Sequence, residues 1–543
     1  MMRSPPICLF LIGAMMMGTG KAVKATAEEE EFREELTLRP LPDGKVAAHF
    51  SFSTLLRGAV PRAPSSLGTD DTSQHYSIFP LALGQILREH AIPEFHLTIN
   101  SGKWDYDRWG HPGEPGVGSG AELWAWMGDG VQRETSIDER WKALQNSLSG
   151  LFCASLGQMH TLHTTSPARA FPPTGDLPRL PAPHKHSLRH ATLPAERVCT
   201  ENLTPFLKLL PCPARAGIAA LLEPHKVFDA NWHGLGVHVR WRAGAGVELV
   251  LSVQAVLDPV RISVERRRDW SLRSLFDRSI PRSCNIATSS VVRVMLPSAS
   301  EGGSYTLSPE PWLSTEDSIA SYDLTNGTSE LDIAMTWPEE QRFSYPLDLS
   351  PLSDLSVRRT LKGSSQTHGE LSVVIRNNQP VTVRTHYLET MPWHVEFFLH
   401  TLGVSCGDGT KCDYLFTNMA YTPSQPHNKP ALLQATIELP PHETVHLSLR
   451  VHKAFLRYQE HRPDAQRGWD LPPAVFVPVD APFRRIYTSA LLVDLATPDF
   501  SMPYNVIIMS STLIALVFGS LFNMLIRRFV VVNLDDEVST STQ

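Results

Sequence analysis

From Val506 to Ile526 the chain runs without one charged residue, and no other stretch restricts its folding so much. In hydrocarbon there is no water to satisfy backbone N–H and C=O groups, and a single helix satisfies its own. At about 1.5 Å per residue, about 20 residues cross the apolar core of a bilayer. A helix this long in a soluble core would keep a polar face, and this one has none. Residues 506–526 are therefore expected to form a transmembrane helix. Arg527 and Arg528 follow directly. Positive residues stay cytosolic, which places the tail 527–543 in the cytosol and the bulk of the chain in a lumen. Asn523 lies inside the span, and its amide has two readings. It marks a contact with another helix, or it sits near the interface and is hydrated.

The opposite end gives the same orientation independently. Arg3 precedes an apolar stretch from Ile7 to Met17, and Ala25 and Ala27 form an A-x-A-like cleavage pattern. This is the layout of a signal peptide, with an apolar part too short to span a bilayer. Cleavage falls between Gly20 and Ala27, so residues 1–27 are read as signal peptide. The alternative is an uncleaved anchor.

Six of the seven cysteines then lie in an oxidising lumen, since Cys8 leaves with the signal. They are Cys153, Cys199, Cys212, Cys284, Cys406 and Cys412. None forms a C-x-x-C pair, so no zinc site is expected. Cys406 and Cys412 flank a turn-forming Gly-Asp-Gly-Thr-Lys segment, which suggests a bridge between them. Cys153, within Leu-Phe-Cys-Ala-Ser-Leu, suits a buried free thiol. The sequons at Asn202 and Asn326 would each put an asparagine on the surface as an N-glycosylation site.

Most of the luminal part reads as strands. Val445, Leu447, Leu449 and Val451 alternate with His446, Ser448, Arg450 and His452, the pattern of a strand with one wet face. Val247–Leu257, Leu371–Arg376 and Val381–Val383 read likewise, and turn residues such as Asn377 to Pro380 separate them. Helices are expected near the N-terminal end. Ser136 to Glu139 has capping-box spacing, followed by Trp141, Leu144, Leu148, Leu151 and Phe152 on one helical face. Phe79–Ile92 is a second helical segment. The Pro-, His- and Ser-rich stretch Thr161–His190 reads as a surface loop, and Pro61–Ser73 is similar. The expected fold is thus mainly β with an α+β N-terminal part: a luminal α+β domain over 28–300, an antiparallel β-sandwich-like domain over 301–500, then the membrane helix. The boundary rests on the polar stretch Ser298 to Ser304.

No catalytic arrangement stands out. Gly116 to Gly120 carries Ser119 one place too late for G-x-S-x-G, and lacks the spacing of a phosphate loop. His184, His186 and His190 fall in the Pro-rich stretch, where unanchored histidines are usually solvated, so neither metal nor cofactor is expected. The net charge of −7 gives no reason to expect nucleic acid as a partner. A binding or scaffolding role fits better than an enzyme. A free-standing type I receptor or cargo-binding protein of the secretory pathway remains the alternative.

Several segments resemble the PIG-T family, a subunit of the glycosylphosphatidylinositol (GPI) transamidase. They are Arg33-Glu-Glu-Leu36, Pro40-Leu-Pro-Asp-Gly44, Ser119-Gly-Ala-Glu-Leu-Trp124, Phe152-Cys-Ala-Ser-Leu156, Cys199-Thr-Glu-Asn-Leu-Thr-Pro205, Asp269-Trp-Ser-Leu272 and Met391-Pro-Trp393. Thr497-Pro-Asp-Phe-Ser-Met-Pro-Tyr-Asn-Val506 leads into the membrane span. The loops at Pro61–Ser73 and Thr161–His190, the Cys406/Cys412 pair and the short tail fit the family less well. The resemblance implies a non-catalytic subunit of a complex in the endoplasmic reticulum membrane that joins proproteins to a GPI lipid. It implies as partners a caspase-like subunit, which supplies the catalytic Cys and His, and multi-pass membrane subunits. GPI lipid and proprotein are met through the complex. The resemblance further implies an interchain disulfide to the caspase-like subunit from the cysteine before Thr-Glu-Asn-Leu-Thr-Pro, which is Cys199. An intrachain bridge, such as Cys199–Cys212, is the competing arrangement.

Overall fold

The computed structural model describes residues 30–69, 76–130, 136–212, 216–297, 303–311, 318–325, 330–347, 350–455, 457, 468–496 and 501–528. The expected signal peptide, Asn326 and the tail from residue 529 lie outside them.

The molecule is mainly β, as its alternating sequence patterns require. β1 (Glu30–Pro40) and β2 (Val46–Arg57) form a long hairpin. Its turn needs Gly44, which sits at φ +79° with the Phe343 ring 2.6 Å from where a Cβ would lie. β3 (Glu94–Ser101), β4 (Gly120–Gly128), β5 (Thr164–Thr165), β6 (His186–Leu193), β7 (Trp232–Arg242) and β8 (Gly246–Leu257) extend this hairpin into a ten-stranded sheet. The spatial order is Ile319–Asp323, Ser289–Met295, β1, β2, β8, β7, β3, β4, β6, β5. Every pairing is antiparallel except that of β1 with Ser289–Met295.

One face of this sheet carries the first hydrophobic core. Phe50, Leu97, Leu123 and Leu251 pack there with Leu83, Leu144, Leu148, Leu203 and Phe206 from helices Leu81–Glu89, Ile137–Phe152 and Thr200–Lys208. Helix Ile137–Phe152 starts where the capping spacing put it: the Ser136 hydroxyl accepts from the Glu139 N–H at 3.3 Å. Burying side chains of this size contributes about 1.5–3 kcal/mol each, which fixes the helices on the sheet. The core continues through Tyr322, Met335 and Trp337. The sheet itself takes in Ile319–Asp323, so the division expected near residue 300 falls inside one sheet rather than between two.

The second body is a sandwich of two antiparallel sheets. Leu355–Lys362, His368–Asn377, Thr444–Lys453 and Val395–Phe397 form one, with Gly403–Cys406 pairing beside them. Phe416–Thr422, Ala431–Leu439, Val383–Met391, Val475–Pro478 and Ile486–Tyr487 form the other. Leu371, Val373, Leu447 and Leu449 of the first sheet share one core with Tyr387, Leu433, Ile437 and Phe476 of the second. Thr444–Lys453 shows the expected alternation of buried and wetter residues. Trp104, Trp109 and Trp232 of the first body join this second core, so the two bodies meet along a dry seam.

The helix Ser501–Ile526 carries the apolar segment, and the described side chains from Tyr504 onward project away from the rest of the chain. Two expectations are corrected. Thr161–His190 is not simply a surface loop. It supplies β5 and the start of β6, and Ala170 and Phe171 are buried at the seam. Its histidines hid a strand pattern, because an imidazole buried against a carboxylate reads as polar in sequence. Cys153 is exposed rather than buried, because it ends helix Ile137–Phe152 in a left-handed turn that points it outward from the core.

Candidate functional site

Two exposed, unpaired cysteines are held on either side of one buried amide. Helix Ile137–Phe152 stops at Cys153, whose backbone is left-handed at φ +51° and whose N–H donates to the Ser149 carbonyl. Helix Thr200–Lys208 starts after Cys199, whose backbone is extended at φ −131° and ψ 176°. Asn202 joins these two ends. Its Oδ1 accepts from the Cys199 N–H at 2.8 Å, and its Nδ2 donates to the Phe152 carbonyl at 2.9 Å and the Cys153 carbonyl at 3.1 Å. These are backbone groups that helix ends would otherwise leave unsatisfied. The Val198 N–H donates to the Ser101 hydroxyl at 3.1 Å, which ties the same segment to the end of β3.

Asn202 is wholly buried. That stands against the surface sequon reading: a glycan on Nδ2 would replace one of its two N–H donors and need space in a closed core. The sequence signal for its real role is its position three residues after Cys199, at the third residue of a helix, where a side-chain acceptor can reach back to the first N–H.

Cys212 is bonded to Cys284, with Cα atoms 6.0 Å apart and a sequence separation of 72. This ties the segment after helix Thr200–Lys208 to the lead into Ser289–Met295. Cys406 is bonded to Cys412 around a turn in which the Asp408 carboxylate accepts from the Thr410 N–H at 2.9 Å. Cys153 and Cys199 are the remaining thiols among the described residues, and both face solvent. Asn523 lies on the membrane helix with its side chain outward and its carbonyl accepting the Arg527 N–H at 2.9 Å. Asn326 lies outside the described residues.

The sequence reading missed a second cluster entirely. On β3 the polar residues Glu94, His96, Thr98 and Asn100 occupy one face while Phe95, Leu97 and Ile99 occupy the other, yet both faces are buried. His96 Nδ1 meets His238 Nδ1 at 2.9 Å. Two imidazoles joined in this way hold one proton between them. His96 Nε2 lies 3.1 Å from Glu94, and His238 Nε2 lies 2.7 Å from Glu114. Burial pushes the His96 imidazole down to about 4, opposed in part by the Glu94 carboxylate. Burial would raise Glu94, but hydrogen bonding and charge from His96 and the Thr174 and Gly175 N–H groups leave it below the usual carboxylate range. Alongside, His190 and Tyr487 both bond Glu122, at 2.9 and 2.7 Å, and the Arg485 guanidinium lies over the Trp124 and Phe171 rings. The loops at Glu114 and Thr174 and the strand Ile486–Tyr487 thus close on the polar face of the sheet. The arrangement is a polar lock between the two bodies, with its carboxylates held by imidazole, hydroxyl and backbone N–H groups. The alternation of polar residues in Glu94-Phe-His-Leu-Thr-Ile-Asn100 was the available signal. Among the described residues no group of three or more His, Cys, Asp or Glu is placed to hold a metal ion.

This chain matches the profile of a family described as "Gpi16 subunit, GPI transamidase component" over residues 16–543. A mouse GPI-anchor transamidase component PIGT is 34% identical, with 96% of this chain and 94% of the relative covered. The human counterpart is 34% identical over 97% and 95%. The GPI transamidase component GPI16 of Saccharomyces cerevisiae is 29% identical over 94% and 90%. On a match that runs nearly end to end in both directions, the chain belongs to the Gpi16/PIG-T family and is a component of the GPI transamidase complex.

Proposed function

We propose that this chain is a non-catalytic scaffold of the transamidase, held by a disulfide from Cys199 to a caspase-like catalytic subunit. It works in the endoplasmic reticulum membrane, single-pass, with its two bodies in the lumen beside multi-pass subunits. Proprotein and GPI lipid are then handled by the assembly rather than by this chain alone.

The observation that carries the reading is the state of Cys199. Cys212, the intrachain partner weighed from the sequence, is already bonded to Cys284, and Cys199 is unpaired and faces solvent at the start of a helix pinned by Asn202. A rigidly held, exposed thiol in an oxidising lumen suits a bond to another chain. Such a bond makes the partner's association effectively intramolecular. Asn523 adds a second point of attachment, since an amide facing hydrocarbon favours a partner helix.

A non-reducing gel of the intact complex tests this. The wild-type chain should run as a high-mass band containing the catalytic subunit, and reductant should release it. Cys199→Ser should abolish that band, while Cys153→Ser should leave it. A band that survives Cys199→Ser refutes the assignment, and loss with Cys153→Ser alone transfers it to the neighbouring thiol.

A further inference from the structure

A cavity of about 240 Å³ opens beside the β1–β2 turn, lined in part by Arg39, Lys45, Trp109, Arg268, Trp270 and Trp337. Two of its three cations are already balanced. Lys45 pairs with Asp43 and lies over the Trp109 ring at 5.8 Å. Arg268 pairs with Glu340 at 2.8 Å and lies over the Trp337 ring at 4.4 Å. Arg39 differs. Its guanidinium donates to the Trp109 carbonyl at 2.6 Å and has no carboxylate partner among the described residues. Arg39 is thus the one cation lining this cavity that lacks a carboxylate partner among the described residues.

The unfilled chemistry is that of one monoanionic oxygen acceptor next to apolar surface. A carboxylate matches it, since guanidinium binds carboxylate through two parallel N–H groups. A phosphate monoester carries roughly −1.5 to −2 charges, more than one free cation balances with Asp43 and Glu340 close by. The rim carries exposed apolar side chains, Met295 and Leu352, 38% and 43% exposed. We propose that this cavity receives an Asp, Glu or C-terminal carboxylate from an acidic segment of another polypeptide in the complex, packed against Met295 and Leu352. The inference rests on the chain's working within that assembly.

The test is photo-crosslinking of the full chain in its own membranes, with p-benzoylphenylalanine in place of Met295. The expected product is a covalent adduct of polypeptide mass, whose peptides map to an acidic segment of another subunit or of a bound proprotein. Leu352→Glu sets a like charge on the exposed rim without touching the core, and should lower adduct yield about tenfold, the effect of one charge-assisted contact. Leu352→Lys removes the same apolar contact without adding a like charge and should lower it less than Leu352→Glu does, whereas Arg39→Gln should lower it as far as Leu352→Glu. A lipid or glycan adduct, or no intermolecular adduct, overturns the proposal. So does a yield unchanged in both Leu352→Glu and Arg39→Gln. Recovery of the other subunits from the same sample separates the two readings. A chain purified alone refutes the assembly, whereas an intact assembly without the adduct refutes only the cavity.

Discussion

Asn202 separates a sequence motif from a structural role, and two substitutions can pull the two apart. Asn202→Ala removes the acceptor for the Cys199 N–H and the donor to the Phe152 and Cys153 carbonyls, all inside a closed core. A net hydrogen bond is worth about 0.5–1.5 kcal/mol, and orphaned buried groups cost more. Three lost contacts sum to roughly 3–4 kcal/mol, a fall of about 5–10 °C in melting temperature for a body of this size. Thr204→Val destroys the same sequon from the other side. Thr204 is exposed and its hydroxyl donates only to the Thr200 carbonyl at 2.9 Å, so the cost should stay within about 0.5 kcal/mol. The assay is gel mobility before and after glycosidase, read beside thermal melting of the purified complex. Neither variant should lose a glycan from the mature protein. Asn202→Ala should melt early and give less of the reducible high-mass band, because Cys199 loses its anchor. If Thr204→Val sheds the mass of one glycan, or Asn202→Ala melts like wild type, the buried pairing is wrong.

Other expectations follow from single contacts. Cys212→Ser opens a loop of 72 residues and should cost about 4 kcal/mol by chain entropy, read as a lower denaturant midpoint of the oxidised protein only. Arg359 and Glu389 form a fully buried ion pair, with Nε and Oε2 3.1 Å apart. Arg359→Met or Glu389→Leu alone should cost about 3–5 kcal/mol by stranding a charge, and the double variant much less than the sum, which a double-mutant cycle measures. His96 gives a pH dependence. Its folded value of about 4 lies below the unfolded 6.5, so its contribution is present above pH 6.5 and is lost as pH falls toward 4. That amounts to about 2 kcal/mol between pH 7 and 5, and His96→Gln should flatten this part of the stability profile.

The sequence was most legible where one physical demand acts alone. The membrane helix needed only length and the absence of charge, and Thr444–Lys453 needed only a wet and a dry face. Helix Ile137–Phe152 was legible because Ser136 and the apolar stripe agree on its start and its buried side. Legibility failed where burial and polarity coincide. β3 is buried on both faces, but half of its residues are polar, so neither a wet-face nor a dry-strand pattern describes it. β6 was lost in the same way, because His190 buried against Glu122 looks like a loop histidine until its partner is known. The partners lie 68 residues apart, and alternation within one segment carries no information about contacts at that range. The domain boundary failed for a related reason: a polar stretch marks a surface loop, but a loop can return to the same sheet.

At the Cys199 site the limit is sharper. An Asn in N-x-T is the same residue whether it faces an oligosaccharide or two carbonyls, and the tripeptide does not distinguish them. What decides is the residue three places before it. With Cys199 at the cap, a helix starting at Thr200 puts Asn202 where its Oδ1 reaches the Cys199 N–H, and the amide then turns its Nδ2 inward. The left-handed end at Cys153 presents two carbonyls to meet it. Each of these three conditions is local, but their coincidence is tertiary. It follows that the position of the thiol and the burial of the amide are one feature. A substitution that frees Asn202 for glycosylation would release the backbone that holds Cys199, so this fold cannot carry a glycan there and keep the thiol in place.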